Sequence, residues 1–177
     1  KTSKLNISTI RKHLDNIYSF YKSADKTIPP PQFFNIEYWF KDYVINDLAR
    51  LKSAIDNIAD DKHHKNFFYV AFSESVRDVS NTRNGEFKLF RIPDNKLRDF
   101  NPDVWSTFFK KANRNLEGLH QYIDRLGSNK LAPKVFEMDL RFNTGIPENS
   151  VDLVVTSPPY GDSKTTVAYG QFSRLSM

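Results

Sequence analysis

The sequence predicts an α/β fold, in which a large and mostly helical region precedes two strands of a partial parallel sheet. Apolar side chains recur every three or four positions through several long segments before residue 128, which is the spacing of amphipathic helices. After Lys130 the pattern changes to short, nearly continuous apolar runs, which are typical of strands buried on both faces of a sheet. We therefore divide the chain into a helical region, 1–128, and a sheet region, 129–177.

Three long helices are predicted in the first part of the helical region. The first covers about 8–23, and Ser8 is placed to cap its N-terminus. The second covers about 41–58 and carries an apolar stripe along one face. The third begins at the acidic pair Asp60-Asp61, as suits a helix N-terminus, and is richer in aromatic residues.

A fourth long helix is predicted to begin at Asn101-Pro102, with proline at its first position. It runs to about Leu126 and ends at Gly127, a residue that suits a left-handed C-terminal cap. Its inner face is formed by an apolar set at helical spacing, namely Val104, Phe108, Ala112, Leu116, Leu119 and Ile123.

A short strand of about 86–92 is predicted between the third and fourth helices, after the turn signal Asn84-Gly85. Basic side chains surround this turn and are candidates for contacts to nucleic-acid phosphates, with Asn81 and Asn84 as base readers. The basic residues are Arg77, Arg83, Lys88 and Arg91. A solvated hairpin without a nucleic-acid partner would explain the same pattern.

The segment Ser157-Pro158-Pro159-Tyr160 follows the second predicted strand of the sheet, 151–156, and suits a planar ring that bears an exocyclic amine. The prolines stiffen the loop and remove two backbone donors, while their carbonyl oxygens remain acceptors. Ser157 adds a side-chain acceptor, and Tyr160 adds a flat surface for stacking. Holding the amine would direct its lone pair at an electrophilic methyl group, so that positioning supplies much of the rate enhancement. A bare Pro-Pro-Tyr is also common in loops and polyproline II ligands.

This segment resembles the catalytic motif of the S-adenosylmethionine-dependent DNA amino-methyltransferases, which modify N4 of cytosine or N6 of adenine. The family motif opens with Asp, Asn or Ser and continues with Pro-Pro and an aromatic residue, and the serine form is most like the cytosine-N4 group. The resemblance is strongest over about 134–176 and weaker over about 35–92. It implies a partial Rossmann-like methyltransferase sheet, to which the helical region is an insertion or appendage. It also implies catalytic roles for Ser157, Pro158, Pro159 and Tyr160 on a base flipped out of double-stranded DNA.

By the same resemblance, Asp139, at the end of the first predicted strand (134–138), lies near the adenine end of S-adenosylmethionine. The family also has a glycine-rich turn, but no two glycines of this chain are close enough in sequence to form it. We expect this turn before Lys1, although a permuted order would place it beyond Met177. The cofactor site of this chain is therefore expected to be incomplete, so that the chain acts with the remainder of the methyltransferase.

Composition limits the other partners of the chain. A net charge of +5 favours a polyanionic partner such as nucleic acid. Lys164 is a candidate contact to this partner, and the segment around it either closes over the substrate or forms a plain surface loop. There is no cysteine and no metal-ligand spacing of histidines, so we expect neither a disulfide nor a metal site. No apolar run is long enough for a membrane span, and we expect a cytoplasmic protein.

Two alternatives to a DNA methyltransferase of the restriction-modification type remain open. An RNA amino-methyltransferase is one, since guanine-N2 enzymes use a similar motif, although they usually carry Asp or Asn at the position of Ser157. The other is a non-catalytic nucleic-acid-binding or assembly fragment of a split enzyme, which the absent glycine-rich turn favours.

Overall fold

The structure, a computed structural model, describes residues 5–24, 28–59, 61–83, 89–126, 134–139 and 141–156. Within these ranges 61% of the residues are helical. The helices of the described residues are α1 (Ile7–Ser23), α2 (Ile36–Trp39), α3 (Asp42–Ile58), α4 (Lys62–Val79), α5 (Asp94–Leu97) and α6 (Val104–Leu126). The four long helices lie where the sequence predicted them, and the short helices α2 and α5 were not predicted.

The long helices pack around one hydrophobic core. The most extensive packing is between α4 and α6 and between α1 and α3, and α3 also contacts α4 and α6. Each helix contributes the apolar stripe that its spacing predicted, and burying one such large side chain stabilises the fold by about 1.5–3 kcal/mol. The largest fully buried apolar side chains are Ile10, Ile17, Val44, Leu51, Ile55, Phe68, Val79, Val104 and Phe108.

The residues predicted to cap the N-termini of the first and fourth long helices are wrong, and the observed caps lie two residues away in each case. Helix α1 is capped by Asn6, whose Oδ1 accepts from the backbone N–H of Thr9 at 3.1 Å, while Ser8 donates its own hydroxyl to the same oxygen at 2.6 Å. Helix α6 begins after Asp103, whose Oδ1 accepts from the N–H of Ser106 at 2.6 Å. Asn101 lies three residues before the first helical residue, Val104, and its Oδ1 accepts instead from Lys41 Nζ at 2.9 Å.

The N-terminus predicted for the third helix is confirmed. Asp61 is the N-cap of α4, and its Oδ1 accepts from the N–H groups of His63 at 2.7 Å and His64 at 3.2 Å. These bonds satisfy two backbone donors that have no partner within the helix. His64 itself is buried; its ring contacts the Asp61 carboxylate and packs edge-on against His13, with 5.2 Å between the ring centres.

The prediction of a partial Rossmann-like sheet is wrong for the described part of the chain. The two apolar runs, 134–139 and 151–156, have no regular secondary structure and no ladder among the described residues, and their side chains are largely exposed, as in Val135 at 92%. A strand requires a neighbour that satisfies its N–H and C=O groups, and neither run has one among the described residues. Residues 86–88 of the strand expected at 86–92 lie outside the described residues, and within 89–92 there is one antiparallel bridge, between Thr82 and Arg91.

In the part of the chain that the structure describes, no helix is both long enough and apolar enough to span a membrane. This finding agrees with the amphipathic pattern of the long helices, each of which alternates a buried face with a charged one.

A cluster of ion pairs lies at the edge of the α4–α6 contact. Glu74 of α4 accepts from Arg114 Nη1 at 3.1 Å and from Lys111 Nζ at 3.0 Å, and Lys111 also pairs with Asp78 at 2.6 Å. The hydrogen bond from Arg114, together with that from Lys111, lowers the pKa of Glu74 to about 2 against the opposing effect of partial burial. The carboxylate of Glu74 therefore favours the folded state while it is ionised.

We expect Glu74→Gln to lower the melting temperature at neutral pH by roughly 2 °C. We also expect the melting temperature of this variant to change less with pH in the acid range than that of the wild type. The folded-state pKa lies below the ordinary value of 4.5, so the stabilisation is complete above that pH and is lost as the pH falls towards 2. Thermal melts followed by circular dichroism across this pH range measure the effect. Glu117→Gln, at an exposed position of α6, is the matched control. If the melting temperature of Glu74→Gln changed with pH as that of the wild type does, this account of the ion-pair cluster would be contradicted.

Candidate nucleic-acid interface

The residues with predicted catalytic roles, Ser157, Pro158, Pro159 and Tyr160, lie outside the described residues, as do Lys88 and Lys164. Their roles therefore stay predictions from the sequence. The described residues that were predicted to contact ligands are Asp139, Arg77, Arg83 and Arg91. Asp139 lies in the extended C-terminal part of the described chain, and the arginines lie at the end of α4 and in the bridge that follows.

Asp139 is an exposed carboxylate held by a neighbouring arginine. Its oxygens accept from Arg141 Nη2 at 2.6 Å and Nε at 3.0 Å, and Oδ1 also accepts from the Arg141 N–H at 3.0 Å. The Arg141 guanidinium, with the backbone N–H bond, lowers the pKa of Asp139. The carboxylate is therefore ionised at neutral pH, and both of its oxygens already have partners.

The described residues do not by themselves fit S-adenosylmethionine. Asp139 is the single carboxylate that the sequence assigned to the cofactor, and its oxygens bind Arg141. The two glycines of the described ranges, Gly118 and Gly145, lie in α6 and in the loop before 151–156, too far apart to form a glycine-rich turn. We therefore derive no methyl-transfer step from the described residues. Within the same ranges, no three His, Asp or Glu side chains are placed to hold a metal ion.

The backbones of Arg83 and Arg91 are linked through the bridge that joins residues 81–83 to residues 90–92. Thr82 pairs with Arg91, the N–H of Arg83 donates to Phe90 O at 2.8 Å, and the N–H of Ile92 donates to Asn81 O at 2.8 Å. Of the two arginines, Arg83 lies at an exposed position and Arg91 is half-buried. The role of these arginines in binding nucleic acid stays a prediction.

The end of α4, at Arg77, is connected to this bridge by a short turn. Arg77 stands in the last turn of the helix, and its carbonyl oxygen accepts from the N–H of Ser80 at 3.3 Å and from its hydroxyl at 2.6 Å. The hydroxyl groups of Ser80 and Thr82 are 2.8 Å apart, and both residues are buried. The end of α4 therefore continues into the bridge through a fixed turn.

Arg91 uses its side chain within the protein. Its Nε donates to the carbonyl oxygen of Tyr38 at 3.0 Å, and its guanidinium carbon lies 4.6 Å from the centre of the Tyr38 ring. Its terminal nitrogen Nη1 also forms an ion pair with Asp94. These contacts make Arg91 a residue that positions α2 against the bridge, and they leave less of its charge for a phosphate.

Asn81 is likewise structural in this conformation. Its N–H donates to Trp39 O at 2.7 Å and its Nδ2 donates to Tyr38 O at 3.2 Å, so that both bonds reach the C-terminal turn of α2. The residue is buried, and its Oδ1 has no hydrogen-bond partner. Its burial removes Asn81 from the surface that a nucleic-acid base reaches, contrary to its interpretation as a base reader.

The segment before α3 carries exposed aromatic residues to which the sequence pattern assigned no role. Phe33, Phe34 and Tyr38 are exposed, and Tyr38 lies in α2, which binds the bridge through Asn81 and Arg91. The available signal was the density of aromatic residues in 33–40 directly after three prolines.

Comparison with curated proteins finds a relative, Type II methyltransferase M.MvaI of Kocuria varians. The two are 47% identical over 153 residues, a match that covers 82% of this chain and 33% of the relative. No protein-family model matches the chain, and no solved structure does. A match over 82% of the chain has to include most of the helical region. The chain is thus similar over most of its length to a part of a type II methyltransferase, and it spans about a third of that relative's length.

Proposed function

We propose that this chain is part of a DNA methyltransferase of a restriction-modification system. In this proposal the enzyme transfers a methyl group from S-adenosylmethionine to the exocyclic amine of a base flipped out of double-stranded DNA. The observation that carries the proposal is the 47% identity over 153 residues to a protein named as a type II methyltransferase. The positive net charge of the chain agrees with a DNA substrate.

The Ser157-Pro158-Pro159-Tyr160 segment supports transfer to an amine rather than to a ring carbon. The Ser157 hydroxyl and a proline carbonyl would accept the two hydrogen bonds of an amino group, and Tyr160 would stack on the ring that bears it. The serine favours N4 of cytosine as the target, and N6 of adenine is the alternative. The rate enhancement would come mainly from placing the amine nitrogen in line with the methyl group.

The cofactor site of this proposal is shared with the remainder of the methyltransferase. S-adenosylmethionine supplies the methyl group, and Asp139 is the residue of this chain that would contact its adenine end. For that contact Arg141 has to release an oxygen of Asp139, which is feasible since both side chains are exposed. The relative is about three times as long as the matched part, so its further length has room for a glycine-rich turn.

One observation favours a second function, a non-catalytic assembly fragment of a split enzyme. The apolar side chains of 134–139 and 141–156 are exposed, which suits a segment that another protein chain covers. The exposed apolar side chains include Val135, Phe136, Phe142, Val151, Leu153, Val154 and Val155. In this case the chain would contribute its surface to the enzyme and leave the chemistry to its partner.

We expect the full-length protein to transfer labelled methyl groups from S-adenosylmethionine to double-stranded DNA and not to transfer RNA. The measurement is the incorporation of label into each nucleic acid under equal conditions, with heat-inactivated protein as the control. Label in transfer RNA alone would favour the RNA enzyme. The absence of transfer, restored by adding a second chain, would favour the assembly fragment. A cytoplasmic location follows from the proposed DNA substrate.

A further inference from the structure

A short turn closes the carboxylate of Asp139 onto its own segment. The N–H of Phe142 donates to Asp139 O at 3.1 Å, which makes Asp139 the first residue of the turn. The N–H of Arg141 donates to Asp139 Oδ1 at 3.0 Å, a bond by which aspartate commonly stabilises a turn. Aspartate is a favoured residue at this position. The turn therefore directs the Asp139 side chain towards Arg141.

The side chain of Arg141 completes this closure. Its Nη2 donates to Asp139 Oδ2 at 2.6 Å, and its Nε lies 3.0 Å from each carboxylate oxygen. The guanidinium edge that carries these two nitrogens matches the two oxygens of a carboxylate. The guanidinium carbon also lies 5.9 Å from the centre of the Phe142 ring, within the range of a cation–π contact. Arg141 therefore has two partners within the turn.

These contacts depend on residues that are neighbours in the sequence. The bonds to the Asp139 carboxylate join positions two apart, and the backbone bond from Phe142 joins positions three apart. No distant part of the chain is needed to form them, in contrast to strand pairing, which needs a partner elsewhere. We therefore expect the same turn in the full-length protein, whatever covers the apolar runs before and after it.

The closure leaves little of the Asp139 carboxylate for another donor. An ionised carboxylate offers about four lone-pair sites. The Arg141 guanidinium contacts both oxygens, and the Arg141 N–H contacts Oδ1 as well. The pair is nevertheless exposed, with 83% of the Arg141 side chain and 42% of the Asp139 side chain open to solvent. The two side chains can therefore separate without unpacking the core.

We propose that Arg141 competes with S-adenosylmethionine for Asp139, so that the Asp139–Arg141 ion pair is a closed state of the cofactor site. The inference rests on the proposed function, which assigns Asp139 to the adenine end of the cofactor. The exocyclic amine of adenine is a hydrogen-bond donor, and it would need the carboxylate oxygens that Arg141 occupies. Binding at a site that is open for only part of the time lowers the apparent affinity by the open fraction.

The test measures the Kd of the full-length protein for S-adenosylmethionine by isothermal titration calorimetry in the absence of DNA. We expect Arg141→Gln to lower this Kd about threefold, since an exposed ion pair holds its partners only modestly. The difference from the wild type should shrink as the salt concentration rises, because salt screens the ion pair of the wild type. Arg125→Gln, at an exposed arginine of α6, is the matched control. It removes the same charge outside the turn and should bind as the wild type does.

Asp139→Ala separates this inference from the proposed function. We expect it to raise the Kd for S-adenosylmethionine, and adding Arg141→Gln to it should have no further effect, because the ion pair is already absent. An unchanged or higher Kd in Arg141→Gln, while Asp139→Ala raises Kd, would overturn the competition and leave the cofactor role of Asp139 intact. A wild-type Kd in Asp139→Ala would instead contradict that role and, with it, the proposed cofactor site.

Discussion

Replacing Ser157 with alanine in the full-length protein is expected to lower kcat for DNA methylation about 100-fold, because the amine loses an acceptor that fixes its direction. A nitrogen displaced by about 1 Å from the line of attack is enough for a loss of this size. The measurement is single-turnover methyl transfer at saturating DNA and cofactor. The affinity for DNA should change little, since one hydroxyl is a small part of the contact surface. A wild-type kcat would remove Ser157 from the proposed site.

Tyr160 offers a sharper test of the same segment, because its ring and its hydroxyl can be removed separately. Tyr160→Ala should reduce methyl transfer strongly, since stacking of one base on an aromatic ring contributes about 1–3 kcal/mol. Tyr160→Phe is the matched control and should retain most of the activity, because it keeps the ring. Equal losses in the two variants would show that the hydroxyl matters and that the stacking role is wrong.

The second large effect concerns the fold. Phe108→Ala is expected to destabilise the protein by about 3–5 kcal/mol, because it leaves a cavity between α6 and α4. Phe108 is fully buried, and its ring lies 6.4 Å from that of Phe68 and 5.7 Å from that of Trp105. A loss of this size is a large part of the stability of a typical domain. Urea unfolding followed by circular dichroism measures it.

Phe109→Ala tests whether that loss reflects burial rather than residue type. Phe109 is the next residue on α6, but 42% of it is exposed, so its removal opens no closed cavity. We expect a change well below that of Phe108→Ala, of about 1 kcal/mol or less. Similar losses in the two variants would contradict the register of α6 on the core.

The sequence predicted the helices well because amphipathic spacing is a local property. The four predicted apolar residues of α1, which are Ile10, Leu14, Ile17 and Tyr21, are all buried. On α6, five of the six predicted inner residues are buried, whereas Ile123 is 37% exposed. The reason is that α6 extends beyond the helices it packs on, so that residues 121–125 are all exposed.

The prediction of a sheet was wrong because strand pairing depends on partners elsewhere in the chain, which no local sequence pattern specifies. The runs at 134–139 and 151–156 have the composition of buried strands but no neighbour among the described residues. The short helix α2 was missed for a related reason, since its Tyr38 binds Asn81 and Arg91 across 43 and 53 positions of the chain. By contrast, Ser157-Pro158-Pro159-Tyr160 could be proposed from the sequence because its expected chemistry lies in four consecutive residues, and it stays a prediction.

The identity of the methylated nucleoside tests the central proposal most directly. DNA treated with the full-length protein and labelled S-adenosylmethionine is digested to nucleosides, which are separated and identified by mass spectrometry. The serine of the proposed catalytic segment predicts N4-methylcytosine. A lower amount of this nucleoside with Ser157→Ala than with the wild type would assign the reaction to this segment. Label in 5-methylcytosine, or in no nucleoside of the DNA, would contradict the proposal that this chain belongs to a DNA amino-methyltransferase.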